Sequence, residues 1–252
     1  MQKLNVRLKS EDDIRRIAES GKIISGIFKS IGGMRLEGMS TLDLDSCVEK
    51  LILQNKARPS FKTVPNYHHA TCVSINEQVV HGVPSKKNII RNGDIVKVDI
   101  GVVKNGFFSD ACRTFIIGDA PENAVRLVEV TNNCLEMAID VMVPGNRLGD
   151  IGAVIQGFAE KNGYSVVRDF TGHGVGFAVH EFPNVSHYGR KNTGLVLQPG
   201  MVLAIEPMIN EGRHHVMILE DGWTAVTVDG RLSAQFEHTI AITPDGPLVL
   251  TR

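Results

Sequence analysis

At 252 residues, with 42% hydrophobic and 22% charged side chains, the chain has the composition of a soluble globular protein able to bury a sizeable core. Its 27 basic and 28 acidic residues leave a formal charge of −1, so charge gives no reason to expect nucleic acid or a membrane surface as a partner. No apolar run approaches the roughly 18 residues of a bilayer span, and the N-terminal MQKLNVRLKSEDD lacks the apolar core of a secretory signal.

Ser10 followed by Glu11, Asp12 and Asp13 reads as an N-cap with acidic residues at the positive end of a helix dipole. Ile14, Ile17, Ile24, Ile27 and Ile31 then recur at helical spacing up to Gly32-Gly33. A second helix is expected from Thr41, with Leu42, Leu44, Val48, Leu51 and Ile52 on or near one face. Between Cys72 and Ile117 the pattern turns to strands: Val73 to Val80, a turn at Gly82-Val83-Pro84, Asp94 to Val103, then Phe107 to Ile117. Asn105-Gly106 between the last two is a strong hairpin signal. Helices are expected over 121–142, up to Pro144-Gly145, and over Asp150 to Lys161, closed by Asn162-Gly163. From Gly172 the chain is strand-rich again, with strands expected at Met201–Ile209, Met217–Leu219, Trp223–Val228 and Ser233–Ile242. Helices, strands, helices, strands define an α+β fold of antiparallel sheet, in two halves of similar layout, forming one domain over 1–252. The four cysteines, Cys47, Cys72, Cys112 and Cys134, are widely spaced and form no zinc or disulfide pattern, which fits a reducing cytoplasm.

A two-residue loop at Asn105-Gly106 places Asp99 opposite Cys112 and Asp110 on the same face, roughly 7–8 Å away on the diagonal. Two such carboxylates either point to solvent or share a cation. His173 lies among glycines in Thr171-Gly-His-Gly-Val-Gly-Phe-Ala-Val-His-Glu-Phe-Pro183, either as a turn residue or as a metal ligand. His180, seven residues on, has the opposite strand parity and needs a bend to face the same site. Glu206 and Glu237 stand inside apolar strands, where a carboxylate needs either an arginine, such as Arg113 or Arg231, or a metal. Four carboxylates and one neutral histidine balance two divalent cations, and an oxygen-rich set of this kind suits manganese, iron or cobalt, with zinc possible.

These stretches resemble the bacterial type I methionine aminopeptidase family of the pita-bread metallopeptidases. The resemblance runs in family order through Cys72-Val-Ser-Ile-Asn-Glu-Gln-Val-Val-His-Gly-Val-Pro84, the Asp99–Asp110 hairpin, Gly172-His-Gly-Val-Gly with His180-Glu-x-Pro183, Ile205-Glu-Pro207 and Ser233-Ala-Gln-Phe-Glu-His-Thr-Ile240. It implies a creatinase/aminopeptidase fold, a pseudo-two-fold antiparallel sheet flanked by helices. It implies that Asp99 ligates one metal, His173 and Glu206 the other, and that Asp110 and Glu237 bridge them. Hydroxide activated between the metals is then expected to attack the first peptide bond. Glu206 handles its proton, His180 bonds the scissile carbonyl and its oxyanion, and His81 stands near the scissile nitrogen. Tyr67, Cys72 and Trp223 are implied as the substrate pocket, a sulfur and two aromatic faces suited to a thioether. Val64 and Val179 stand where the family usually has aromatic residues, and His68-His69 alters the pocket lip. Only 25 residues separate His180 from Glu206, too few for the helical insertion of type II enzymes. The implied substrates are N-termini of peptides and nascent chains carrying methionine before a small residue. The N-terminus and the cysteine pattern place the chain in the cytoplasm, and a monomer in transient contact with ribosomes is expected.

Overall fold

The computed structural model describes residues 5–252; residues 1–4 of the N-terminal reading lie outside them. Helix α1 (Glu11–Gly32) opens with the expected cap, Ser10 Oγ accepting from Asp13 N at 3.2 Å while Ser10 N donates to Asp13 Oδ2 at 2.9 Å. Its isoleucine stripe is buried as the spacing requires. Helix α2 (Thr41–Gln54) is capped by Ser40 and packs beside it.

Strand β1 (Arg58–Pro59), a 3₁₀ turn at Phe61–Thr63, β2 (Thr71–Ile75) and β3 (Gln78–Val80) precede the long hairpin of β4 (Ile95–Lys104) and β5 (Phe107–Ile116). Asn105 and Gly106 both have positive φ, 51° and 84°, as a type I′ turn requires. The register is the expected one, with Lys104 opposite Phe107 and Asp99 opposite Cys112. Helices α3 (Glu122–Asp140) and α4 (Leu148–Lys161) follow, within two residues of the expected bounds.

The second half contains β6 (Ser165–Val166), β7 (Gly172–Gly174), β8 (Glu181–Val185), β9 (Val202–Ile205), β10 (Met208–Asn210), β11 (Val216–Ile218), β12 (Ala225–Thr227), β13 (Ser233–Gln235), β14 (His238–Thr243) and β15 (Gly246–Val249). Val73 to Val80 is split between β2 and β3 at Asn76-Glu77, and two expected strands of this half are each broken in two as well. Met201–Ile209 divides at Glu206-Pro207, and Ser233–Ile242 divides at Phe236-Glu237. The breaks face each other, because β9 pairs with β14 up to Ile205 opposite His238, and β10 pairs with β13 from Met208 opposite Gln235. Proline has no N–H to give a ladder, and here the interruption is shared by the partner strand.

One core lies between α1, α2 and the sheet of β2 and β4; another lies between α3, α4 and β9, β10, β13 and β14. The sheets of the two halves meet along β5, and β3 of the first half pairs with β12 of the second. Thr114 Oγ1 donates to Gln235 O at 2.6 Å, Glu237 N donates to Cys112 O at 2.8 Å, and Asp110 N donates to Thr239 Oγ1 at 2.9 Å. These three steps run antiparallel, with threonine hydroxyls standing in for backbone groups at the outer two. The result, among the described residues, is a set of four antiparallel sheets with a helix pair for each half, the α+β layout expected. All four cysteines are free.

Candidate metal centre and active site

Each ligand-type side chain reaches the seam for a local reason. Asp99 projects from the middle of β4, directly opposite Cys112 on β5 and Cys72 on β2. Asp110, one register step away opposite Gly101, lies on the same sheet face. Glu206 and Glu237 sit in the two facing strand breaks, where their backbones leave the ladder. The reading of both as interior strand positions is corrected in that sense. His173 is the central residue of β7, not a turn residue. The bend between β7 and β8 brings His180 back to it, the two rings lying 4.4 Å apart between centroids and nearly perpendicular.

Ligand atoms of Asp110, His173 and Glu237 all lie within 4.8 Å of one another. Glu206 Oε1 is 3.6 Å from His173 Nε2, and Glu206 Oε2 accepts from Gln235 Nε2 at 3.2 Å. The arginines offered as alternative partners are elsewhere: Arg113 lies over the Phe28 ring at 5.3 Å, and Arg231 donates its backbone N–H to Asp229. Asp99 Oδ1, Asp110 Oδ1 and Glu237 Oε1 are buried without a hydrogen-bond partner among the described residues. Buried carboxylate oxygens are kept unpaired only at considerable cost unless a cation meets them. His173 Nδ1 lies 2.9 Å from Gly174 O and must donate there, so the lone pair of Nε2 faces the carboxylates. Donor chemistry, burial and tautomer all fit divalent metal.

Electrostatics without cations is strained accordingly. Burial raises Asp99, then Asp110, Glu206 and Glu237, and for the last three the repulsion of neighbouring carboxylates adds to it. Burial pulls His173 down to about 3 and His81 to about 4, with the nearby His180 adding to both, so these rings are neutral.

Beside the carboxylates the cavity becomes apolar. Phe61, Val64, Tyr67, Cys72 and Trp223 line one side, and His81 and His180 line its rim with His173 and the acids. All ten expected site residues thus meet in one cavity. The Tyr67 ring stands edge-on to Trp223 at 5.0 Å and to Phe61 at 6.5 Å, and its hydroxyl donates to Thr71 O at 2.7 Å. Burial keeps the Cys72 thiol protonated by raising it well above its usual range. His81 has φ 57°, an uncommon left-handed backbone for a non-glycine residue. Gly82 behind it has no room for a side chain, since a Cβ there would lie 2.4 Å from Val73 O. Phe61 and Gln235 went unread in the sequence. Phe61 belongs to no periodic run, whereas Gln235 carries the same signal as Glu237, a polar residue in an apolar strand.

Residues 15–244 match the description of metallopeptidase family M24. The chain belongs to that family: it is a metal-dependent hydrolase of pita-bread fold. Its relatives narrow the class. A methionine aminopeptidase of Clostridium perfringens is 45% identical over 244 residues, covering 97% of this chain and 98% of that one. Methionine aminopeptidase A of a Synechocystis species is 42% identical over 246 residues, or 98% and 97% of the two chains. Among solved structures, a methionine aminopeptidase of Thermotoga maritima superposes with TM-score 0.96 at 44% identity, covering 98% of this chain and all of that one. A prolidase from Pyrococcus furiosus gives TM-score 0.79 at 25% identity, with 97% of this chain covering 65% of the prolidase. The hydrolase is an aminopeptidase. No helix among the described residues is long and apolar enough to cross a membrane.

Proposed function

We propose that this chain, as one catalytic domain, removes methionine from the N-termini of peptides and nascent chains whose second residue is small. The observation that carries the reading is the meeting of the unpartnered carboxylates with a pocket of buried thiol and aromatic rings. Cys72 is the register partner of Asp99, so a side chain held against Cys72, Tyr67, Trp223 and Phe61 brings its own backbone to the acids. Sulfur–aromatic contacts of about 0.3–1.5 kcal/mol favour a thioether over a plain alkyl chain of the same size.

Asp99, Asp110, His173, Glu206 and Glu237 would hold two divalent cations, which when bound would supply carbonyl polarisation and a water of lowered pKa. Asp110 and Glu237, whose ligand atoms lie within 4.8 Å of each other and of His173, would serve both cations. Glu206, braced by Gln235, takes up and returns the proton of the attacking water. His180, the exposed rim histidine, donates to the scissile carbonyl oxygen as negative charge builds there. His81, fixed by its left-handed backbone and edge-on to Phe170 at 5.2 Å, serves the scissile nitrogen. Val64 and Val179 in place of larger side chains leave the pocket shape partly to Phe61, so we expect pocket variants at Phe61 to alter KM for methionine substrates. We place the enzyme in the cytoplasm as a monomer, with transient access to ribosome-borne chains.

Cleavage of Met-Ala-Ser, Met-Leu-Ser and Xaa-Pro dipeptides, with manganese, iron, cobalt or zinc supplied in turn, tests this reading. Met-Ala-Ser is expected to be cleaved fastest and only with metal. Efficient Xaa-Pro cleavage with Met-Ala-Ser inert would assign the chain to prolidase chemistry instead.

A further inference from the structure

His187 follows β8 and is fully buried, yet nothing in the proposed chemistry uses it. Its Nε2 lies 3.2 Å from Glu206 N and accepts that N–H. The contact falls at the strand break. The β7–β9 pairing includes His173 opposite Ala204, and β9 ends at Ile205, so Glu206 is the first residue past the strand. An imidazole therefore does what a neighbouring strand's carbonyl would do. Gly172 makes the approach possible, because a Cβ there would lie 3.2 Å from His187 Nε2 and 2.4 Å from Ala204 O.

The other ring nitrogen, Nδ1, is buried without a partner among the described residues. Since Nε2 accepts, Nδ1 carries the proton, and a buried N–H is left unsatisfied. The reverse tautomer would set two donors against each other at Glu206. Such an arrangement persists only where the acceptor at Nε2 matters more than the orphan at Nδ1.

We propose that His187 is a positioning residue of the metal centre. By holding the backbone of Glu206 where the ladder stops, it fixes the angle at which that carboxylate meets His173 and would meet a bound cation. The role rests on the metallopeptidase reading of the cavity and extends it to a residue that touches neither substrate nor metal.

The test compares the parent with His187→Gln, which keeps an acceptor, and His187→Leu, which fills similar space without one. Cobalt affinity by calorimetry and the visible absorption of the bound cobalt are read alongside kcat and KM on Met-Ala-Ser. Leucine is expected to weaken cobalt binding by about tenfold or more, to change the cobalt spectrum and to lower kcat with KM within twofold. Glutamine is expected to restore most of each. Equal cobalt affinity and spectrum in the parent and the leucine variant overturn the role, as does equal loss in both variants. If the leucine variant does not fold, nitrogen-15 NMR of the parent decides: protonated Nδ1 with bare Nε2 supports the role, and protonated Nε2 overturns it. A parent that binds no cobalt and cleaves nothing removes the functional reading itself, an outcome separate from any difference among variants.

Discussion

Asp110 and Glu237 are the two most enclosed carboxylates of the site, 3% and 2% exposed, and they face each other across the seam. In the two-cation site proposed above each would serve both ions, so Asp110→Ala or Glu237→Ala would remove a ligand from both. Loss of an outer-shell partner at a metal site costs roughly 10–100-fold, and loss of a bridge is expected to exceed ~100-fold in kcat/KM for Met-Ala-Ser. Near-normal turnover in either variant would contradict the two-metal reading. The geometry of the aspartates is legible from Asn105-Gly106, because a two-residue loop leaves one possible register. Their burial is not legible there: the second half of the chain covers them, and no local pattern announces which residues will pack from 129 positions away.

At the scale of elements, the seam depends on two threonines. Thr239 Oγ1 accepts from Asp110 N at 2.9 Å and donates to Asp110 O at 2.7 Å, so one hydroxyl satisfies both backbone groups of a buried residue. Thr239→Val keeps the shape and strands both groups, each at about 1–3 kcal/mol. Urea unfolding of the metal-free protein is expected to show a loss of about 2–6 kcal/mol; a change within about 0.5 kcal/mol would mean that water or a shifted strand replaces the hydroxyl. The helices and the hairpin are readable because period and caps agree. The strand breaks are not, because the apolar period runs on through Glu206 and Glu237. Pro207 is the one local sign of the first break, and the second follows only from its pairing with the first.

For the whole molecule, the raised carboxyls make stability depend on pH and metal together. In the unfolded chain these acids titrate at about 4, while the folded metal-free protein holds their protons to higher pH, Asp99 to about 7. Folded protein therefore binds more protons than unfolded, so this contribution is complete below the unfolded values and is lost as pH rises through the folded ones. The Tm of chelator-treated protein is expected to fall from about pH 5 to about pH 8. Manganese or cobalt at a hundred times its Kd is expected to add about 2.7 kcal/mol and to reverse the trend. A metal-free Tm that rises over that range would show that the carboxylates are not sequestered as described.

The acids come from both halves, Asp99 and Asp110 from the first hairpin, Glu206 and Glu237 from the second half, while β5 itself meets the strands of Glu237 through few direct backbone bonds. Cations in the centre would then work as a clasp on the molecule as well as on the substrate. Deuterium exchange of the Asp110 and Glu237 amides offers a view of this: slow with metal, markedly faster after chelation, while amides inside α1 and α3 keep their protection.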